Sequence, residues 1–77
     1  MTKAQMENVI CTLDAANSGM LYATTALIDE TNPERRERLQ QMHRIQAARL
    51  DAMKTVLMEI GYQVVIKPGH APELYKL

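Results

Sequence analysis

The sequence has no tryptophan or phenylalanine, and its only aromatic residues are three tyrosines. An aromatic core is therefore excluded, and the interior must be built from Leu, Ile, Val, Met and Ala. No apolar run approaches the ~20 residues of a membrane-spanning helix, and no secretory signal opens the chain. We therefore expect a soluble protein that is synthesised in the cytoplasm.

The chain also has no excess charge and almost no cysteine. Nine Lys and Arg balance nine Asp and Glu, which argues against a nucleic-acid partner because such a partner calls for a basic excess. Cys11 is the only cysteine, so an intramolecular disulfide is excluded and a reducing compartment is favoured. Because unpaired cysteines are among the most frequently buried residues, we expect Cys11 to be buried.

The strongest break in the sequence is centred on Pro33. A proline disfavours helical geometry in the residue before it, so a helix arriving from the N-terminal side should stop near Thr31. The same proline suits the first turn of a following helix, where its missing N–H is no loss. Thr31 and Glu34 have the spacing of a capping box at the start of that helix. The break therefore predicts a turn between two helices.

Two segments of nearly equal length flank this break, and both carry apolar residues at helical spacing. Thr2 and Gln5 have the spacing of a capping box, which starts helix 1, predicted over about 3–30. Helix 2 is predicted over about 33–60. The triplet 17–19, Asn-Ser-Gly, weakens helix 1 but does not shift its apolar phase. One helix with a local bend is therefore expected there.

Folding the chain at Pro33 brings together residues whose numbers add up to about 63. The apolar rows of the two helices then meet along what we call the predicted seam. Asn17 and Gln46 fall at one level of it and form a polar layer, which can set register or oligomeric state; partial exposure is the alternative. The members of the predicted seam are Met6, Ile10, Leu13, Asn17, Met20, Leu27, Leu39, Gln46, Leu50, Met53, Leu57 and Ile60.

The pattern changes after Gly61, a residue type that commonly ends helices in the left-handed conformation. Residues 62–66 are rich in β-branched side chains and suit an extended conformation, and residues 67–69 form a turn signal. We expect an extended C-terminal tail, 61–77, that packs along a helix groove of its own chain or of a partner. The fold class is therefore predicted as all-α, with residues 1–77 forming a single helical-hairpin domain.

No arrangement of residues typical of catalysis or metal binding is present. Di-iron bundles use Glu-x-x-His motifs, but the position three residues before His43 is Gln40, and His70 also lacks such an acid. Cys11 and His43 fall on different helices, too far apart along the hairpin for a nucleophile–base pair. We expect His43 to be a flanking or partly buried histidine. The sequence thus predicts no enzyme, no cofactor and no metal site.

Two amphipathic helices cannot enclose a core, because each presents one apolar stripe and the open side of the hairpin stays in contact with water. A chain of 77 residues also has limited stability as a monomer. We therefore expect a homodimer in which two hairpins form an antiparallel four-helix bundle.

Two stretches resemble the bacterial spore coat protein F family. One is residues 19–39, which contains the corner Asp-Glu-Thr-Asn-Pro-Glu, and the other is residues 58–62, Met-Glu-Ile-Gly-Tyr. The resemblance extends over about residues 9–77 and implies a ferritin-like helical bundle with a structural role in the protein shell of an endospore. It implies synthesis in the mother cell of a spore-forming bacterium and assigns no catalytic residue. The chain departs from the family in having one hairpin, and two copies would supply four helices.

The function predicted from these features is that of a non-enzymatic, self-assembling structural protein, similar to coat F proteins. Its expected partners are a second copy of the chain and, if the resemblance holds, other coat proteins. A small dimeric protein-interaction or regulatory module is the alternative. A degenerate ferritin-like metal binder is the third hypothesis.

Overall fold

The computed structural model describes residues 1–77 and contains two long helices followed by a short β-hairpin. Helix α1 spans Lys3–Asp29 and helix α2 spans Pro33–Glu59. Strand β1 comprises Tyr62–Val65, and strand β2 comprises Glu73–Lys76. The two-helix hairpin predicted from the sequence is confirmed, and each helix ends one residue before its predicted boundary.

Helix α1 begins with the capping box expected from its sequence. The Thr2 hydroxyl accepts a hydrogen bond of 3.1 Å from the Gln5 amide, and the Gln5 side chain accepts one of 2.8 Å from the Thr2 amide. These two bonds satisfy backbone donors that have no partner inside the first turn. The helix then continues without interruption through the Asn-Ser-Gly triplet at 17–19.

The residue that caps α2 is Asn32, and the predicted capping box of Thr31 and Glu34 is wrong. Asn32 Oδ1 accepts hydrogen bonds from the backbone amides of Glu34 at 3.0 Å and Arg35 at 3.4 Å. The physical reason lies in Pro33, which holds the preceding residue in an extended conformation, φ −76° and ψ 120°. That conformation is the one an N-cap residue requires, so the cap falls on Asn32.

Two arginines at the start of α2 fasten the turn to the end of α1. The Arg36 guanidinium donates hydrogen bonds to the carbonyl oxygens of Leu27 at 3.0 Å and Glu30 at 2.8 Å. Arg35 also forms an ion pair of 3.3 Å with the Glu30 carboxylate. A cation at the C-terminus of a helix satisfies its free carbonyls and complements its dipole. The contact between Leu27 and Arg36 is the one that the residue-number sum of about 63 predicts.

Replacing Asn32 by alanine is expected to lower the free energy of unfolding by about 1 kcal/mol, because the two amides would lose their acceptor. Thr31→Ala is the matched control and should change it by less than about 0.5 kcal/mol, since Thr31 is exposed. Urea denaturation followed by circular dichroism measures both. Equal losses of stability in the two variants would contradict the assignment of the cap to Asn32 alone.

The C-terminal tail is a β-hairpin, which corrects the prediction of a single extended segment and of an all-α chain. Tyr62 pairs with Lys76 and Val65 with Glu73, and a further backbone bond of 2.8 Å joins the Leu77 amide to the Gly61 carbonyl. Gly61 adopts φ 93°, the left-handed conformation expected at the helix end. The second strand was missed because it has only four residues, without a clear alternation of apolar and polar side chains, and so it carries little strand signal.

The hydrophobic core lies where the β-hairpin meets the two helices. Its buried members are Leu13, Ala16, Leu50, Leu57 and Tyr62. Three side chains of the hairpin region pack against this cluster: Val64, Ile66 and Leu74. The hairpin therefore covers one side of the helix pair and supplies part of the interior that two helices alone lack.

The exposed face of the β-hairpin carries one perturbed side chain. The Tyr75 hydroxyl donates a hydrogen bond to the Glu73 carboxylate, and this bond, with the negative charge of the carboxylate, raises the pKa of Tyr75 above 10.0. Because the folded pKa is the higher one, the stabilising contribution is present at neutral pH. It is lost as the pH rises through the folded pKa.

Candidate functional site

The predicted seam is unevenly buried in the single chain. Leu13, Leu50 and Leu57 are buried, whereas Ile60 lies just beyond α2 and is 56% exposed. The remaining members are half-buried: Met6, Ile10, Asn17, Met20, Leu27, Leu39, Gln46 and Met53. In a single chain, most residues of the predicted seam are therefore only partly shielded from water.

Small residues on α1 lie in the contact between the helices. Ala16 and Ala23 are almost completely buried although neither belongs to the predicted seam. Gly19 lies directly against Gln46, because a Cβ added to Gly19 would stand 3.2 Å from Gln46 Cγ. The glycine therefore accommodates a side chain of the facing helix, because it has no Cβ to occupy that space.

Gln46 contains a buried polar atom with no partner. Its Oε1 is shielded from solvent and accepts no hydrogen bond, and no bond joins it to Asn17. Asn17 and Gln46 are both half-buried, so the polar layer expected at this level consists of side chains that do not pair. An unsatisfied buried acceptor lowers stability, because it has lost its water without gaining a donor.

Replacing Gln46 by methionine is expected to raise the free energy of unfolding by about 1 kcal/mol, because it removes the unsatisfied acceptor and keeps the side-chain length. Gln40→Met, at an exposed position of the same helix, serves as the control and should have an effect within about 0.5 kcal/mol. Urea denaturation at one protein concentration provides the comparison. A destabilised Gln46→Met variant would mean that the amide makes a favourable interaction.

A second row of residues on α2 points away from the core. We call it the outer stripe; Ile45 and Val56 are 57% and 56% exposed in it, and Ala52 is also exposed. Ile45 lies about 120 to 140° around the helix from the buried Leu50 and Leu57, at 100° of rotation per residue. The members of the outer stripe are Arg38, Met42, Ile45, Arg49, Ala52, Val56 and Glu59.

The outer stripe adjoins a shallow groove whose lining is entirely apolar. The groove measures about 300 Å³ and is lined by Val9, Ala52, Met53, Val56 and Leu57. The tip of the β-hairpin lies elsewhere, beside the part of α1 that includes Asp14. Val9 is about 140° around α1 from Asp14, so the groove and the β-hairpin occupy different sides of the helix pair. The groove side therefore carries exposed apolar surface that no element of the chain covers.

Comparison of the chain with protein-family models, with curated proteins and with solved structures finds no match. Neither helix combines the length and the apolar character that crossing a membrane requires. The function therefore has to be argued from the surfaces of this chain.

The residues that suggest chemistry are not brought together. No group of three or more His, Cys, Asp or Glu side chains is placed to hold a metal ion. Cys11 is exposed, so the expectation that it is buried is wrong. It lies about 160° around α1 from the buried Leu13. His43 is half-buried and lines an open cleft of about 570 Å³ with Leu27 and Arg44, near the turn between the helices.

Arg38 and Arg49 give the outer stripe the charges typical of a solvated helix face, and both are exposed. Ile45 alone does not mark the stripe as a contact surface, because single exposed apolar residues are common. The signal that would have found the stripe is the spacing of seven between Arg38, Ile45, Ala52 and Glu59. Such spacing keeps residues on one face of a helix and is typical of helix–helix contacts.

Proposed function

We propose that this chain is a non-enzymatic, self-assembling structural protein whose unit is a homodimer. Two helical hairpins pack with their open sides together and form a four-helix, ferritin-like bundle. The unit then assembles further in a protein shell, as the resemblance to spore coat F proteins implies.

The observation that carries this proposal is the amount of surface that the single chain leaves in water. Its accessible surface is 5616 Å², compared with about 4,700 Å² for a compact monomer of its mass. Its radius of gyration of 14.3 Å likewise exceeds the value of about 11.5 Å for a compact domain of this length. Only 7 of 77 residues are buried. A rod with so little interior gains stability by covering its open side.

The residues that carry the family resemblance form structural features of the hairpin. Asn32 and Pro33 make the cap and first turn of α2, and Gly61 and Tyr62 make the helix end and a core contact. These features support a resemblance in architecture. On this basis we propose synthesis in the mother cell of a spore-forming bacterium and a final location in the spore coat.

Sedimentation equilibrium across micromolar concentrations tests the assembly. We expect a mass of two chains at the highest concentrations, with dissociation on dilution. A compact, cooperatively folded single copy at every concentration would contradict the proposal.

Fractionation of spores from a host that encodes the chain tests the proposed location. We expect the chain in the extracted coat, and its recovery with a partner in the cytosol would instead favour the interaction or regulatory module. Metal analysis of the purified protein gives a further check. Stoichiometric iron or manganese would contradict a purely structural role and favour the metal binder.

A further inference from the structure

Helix α2 presents a second contact surface in addition to the one that packs against α1. Four residues of the outer stripe repeat every seven positions, namely Arg38, Ile45, Ala52 and Glu59, and all four are exposed. A repeat of seven drifts by only about 20° per heptad, so these residues stay on one face along three heptad steps. These four residues are charged at both ends and apolar in the middle, and within the outer stripe Arg49 is the one charged residue between the ends.

The two charged ends of this face have opposite signs. Arg38 lies in the first turns of α2 and Glu59 is its last residue. The ion pair within the chain joins Arg35 to Glu30, so the charges of Arg38 and Glu59 are unpaired. A surface that is positive at one end and negative at the other end is complementary to itself when turned by 180°.

We propose that the outer stripe is a two-fold interface at which α2 packs antiparallel against α2 of a second copy of this chain. The inference rests on the homodimer proposed above and adds the face and the register of its contact. Residues that meet have numbers that add up to 97. Arg38 then meets the partner's Glu59, and Ile45 meets the partner's Ala52.

This register moves Arg49 off the two-fold axis, where a neighbouring register would place it. A sum of 98 would bring Arg49 against the partner's Arg49 on the two-fold axis, where two cations would repel. With a sum of 97 the axis passes between positions 48 and 49, so that the two Arg49 residues lie on opposite sides of it, about 1.5 Å apart along the helices. Ile45 faces the partner's Ala52 on each side of the axis, so that a large residue meets a small one and the helices can approach closely.

The apolar surface beside the stripe extends the same contact. Ala52 and Val56 belong both to the outer stripe and to the apolar groove that Val9 of α1 helps to line. The groove lies on a side of the helix pair that the β-hairpin does not occupy. A second hairpin placed on the stripe therefore covers the groove as well, and its β-hairpin remains on the outside.

The experiment compares two substitutions of the same kind in sedimentation equilibrium. Ile45→Lys places a cation in the middle of the proposed interface and should raise the dimer dissociation constant by at least about a hundredfold. Ile28→Lys is the matched control on α1, at an isoleucine that is 75% exposed and outside the stripe. It should leave the constant within about threefold of the wild-type value. Circular dichroism verifies that both variants keep their helices, as expected for lysine at exposed positions.

A charge exchange tests the register independently of the apolar substitution. Arg38→Glu and Glu59→Arg should each weaken the dimer about tenfold, because each puts two like-charge pairs into the interface. The double variant restores opposite charges and should return to within about threefold of the wild-type constant. A double variant weaker than either single one would overturn the antiparallel register.

The outcomes separate this inference from the function on which it rests. A wild-type chain that stays monomeric contradicts both the homodimer and the interface. If the wild-type chain dimerises and Ile45→Lys weakens the dimer no more than Ile28→Lys does, only the proposed interface is overturned. The proposed homodimer then stands, with a different contact between its subunits. Rescue by the double charge variant supports both.

Discussion

Replacing Leu13 by alanine is expected to lower the free energy of unfolding by about 2 to 5 kcal/mol. Leu13 is completely buried, and it is the only large side chain of the molecule with so little exposure. Removing three carbon atoms there forfeits their transfer free energy and leaves a cavity between α1, α2 and the β-hairpin. In a domain of this size such a loss approaches the whole stability of the fold.

The measurement is thermal and urea denaturation at one fixed protein concentration, because self-association makes the apparent stability concentration-dependent. Leu21→Ala is the matched control, since Leu21 lies on the same helix and is 53% exposed. We expect a drop of at least about 10 °C in the Tm of Leu13→Ala and a change of less than about 0.5 kcal/mol in Leu21→Ala. Similar losses in the two variants would show that the core is not centred on Leu13.

Replacing Tyr62 by alanine is expected to cost about 3 kcal/mol, because it removes the aromatic side chain that anchors the β-hairpin to the helices. Tyr62 is the first residue of β1 and is only 9% exposed. Its loss separates the hairpin from Leu57 and exposes apolar surface of the core cluster. The expected result is therefore a loss of global stability and not only local fraying of the C-terminal segment.

Tyr75→Ala is the control for this experiment because Tyr75 lies on the paired strand and is half exposed. Its hydroxyl bonds only to Glu73 on the surface, so we expect a change of less than about 0.5 kcal/mol. Hydrogen exchange of the α2 amides provides the second readout. If Tyr62→Ala leaves protection in α2 unchanged, the β-hairpin contributes nothing to the stability of the helices.

These two substitutions distinguish the parts of the core that the sequence predicts from those that it does not. Leu13 belongs to the predicted seam because it repeats with Met6 and Met20 at helical spacing. The sequence places Tyr62 in a tail that packs along a groove, and the structure shows it at the start of a paired strand, buried in the core cluster. The sequence pattern of a four-residue strand does not show which distant residues the strand pairs with.

The candidate interface shows the same division. The spacing of Arg38, Ile45, Ala52 and Glu59 is visible in the sequence, but the pattern does not tell an outer face from an inner one. Which face is left open depends on where α1 and the β-hairpin settle. Ile45 is exposed and Leu50 is buried because α1 lies against only one side of α2.

The local sequence predicts the ends of both helices to within one residue, the turn at Pro33 and the level at which Leu27 meets Arg36. The helix ends and the turn depend on interactions within about four residues and on the fixed geometry of proline, which are local. The level at which the helices meet follows from their equal lengths. The three-dimensional fold was needed to find the β-hairpin, the exposure of Cys11 and the side of α2 that stays uncovered. Those depend on contacts between residues that are distant in the chain, where several arrangements satisfy the same local preferences and packing selects one of them.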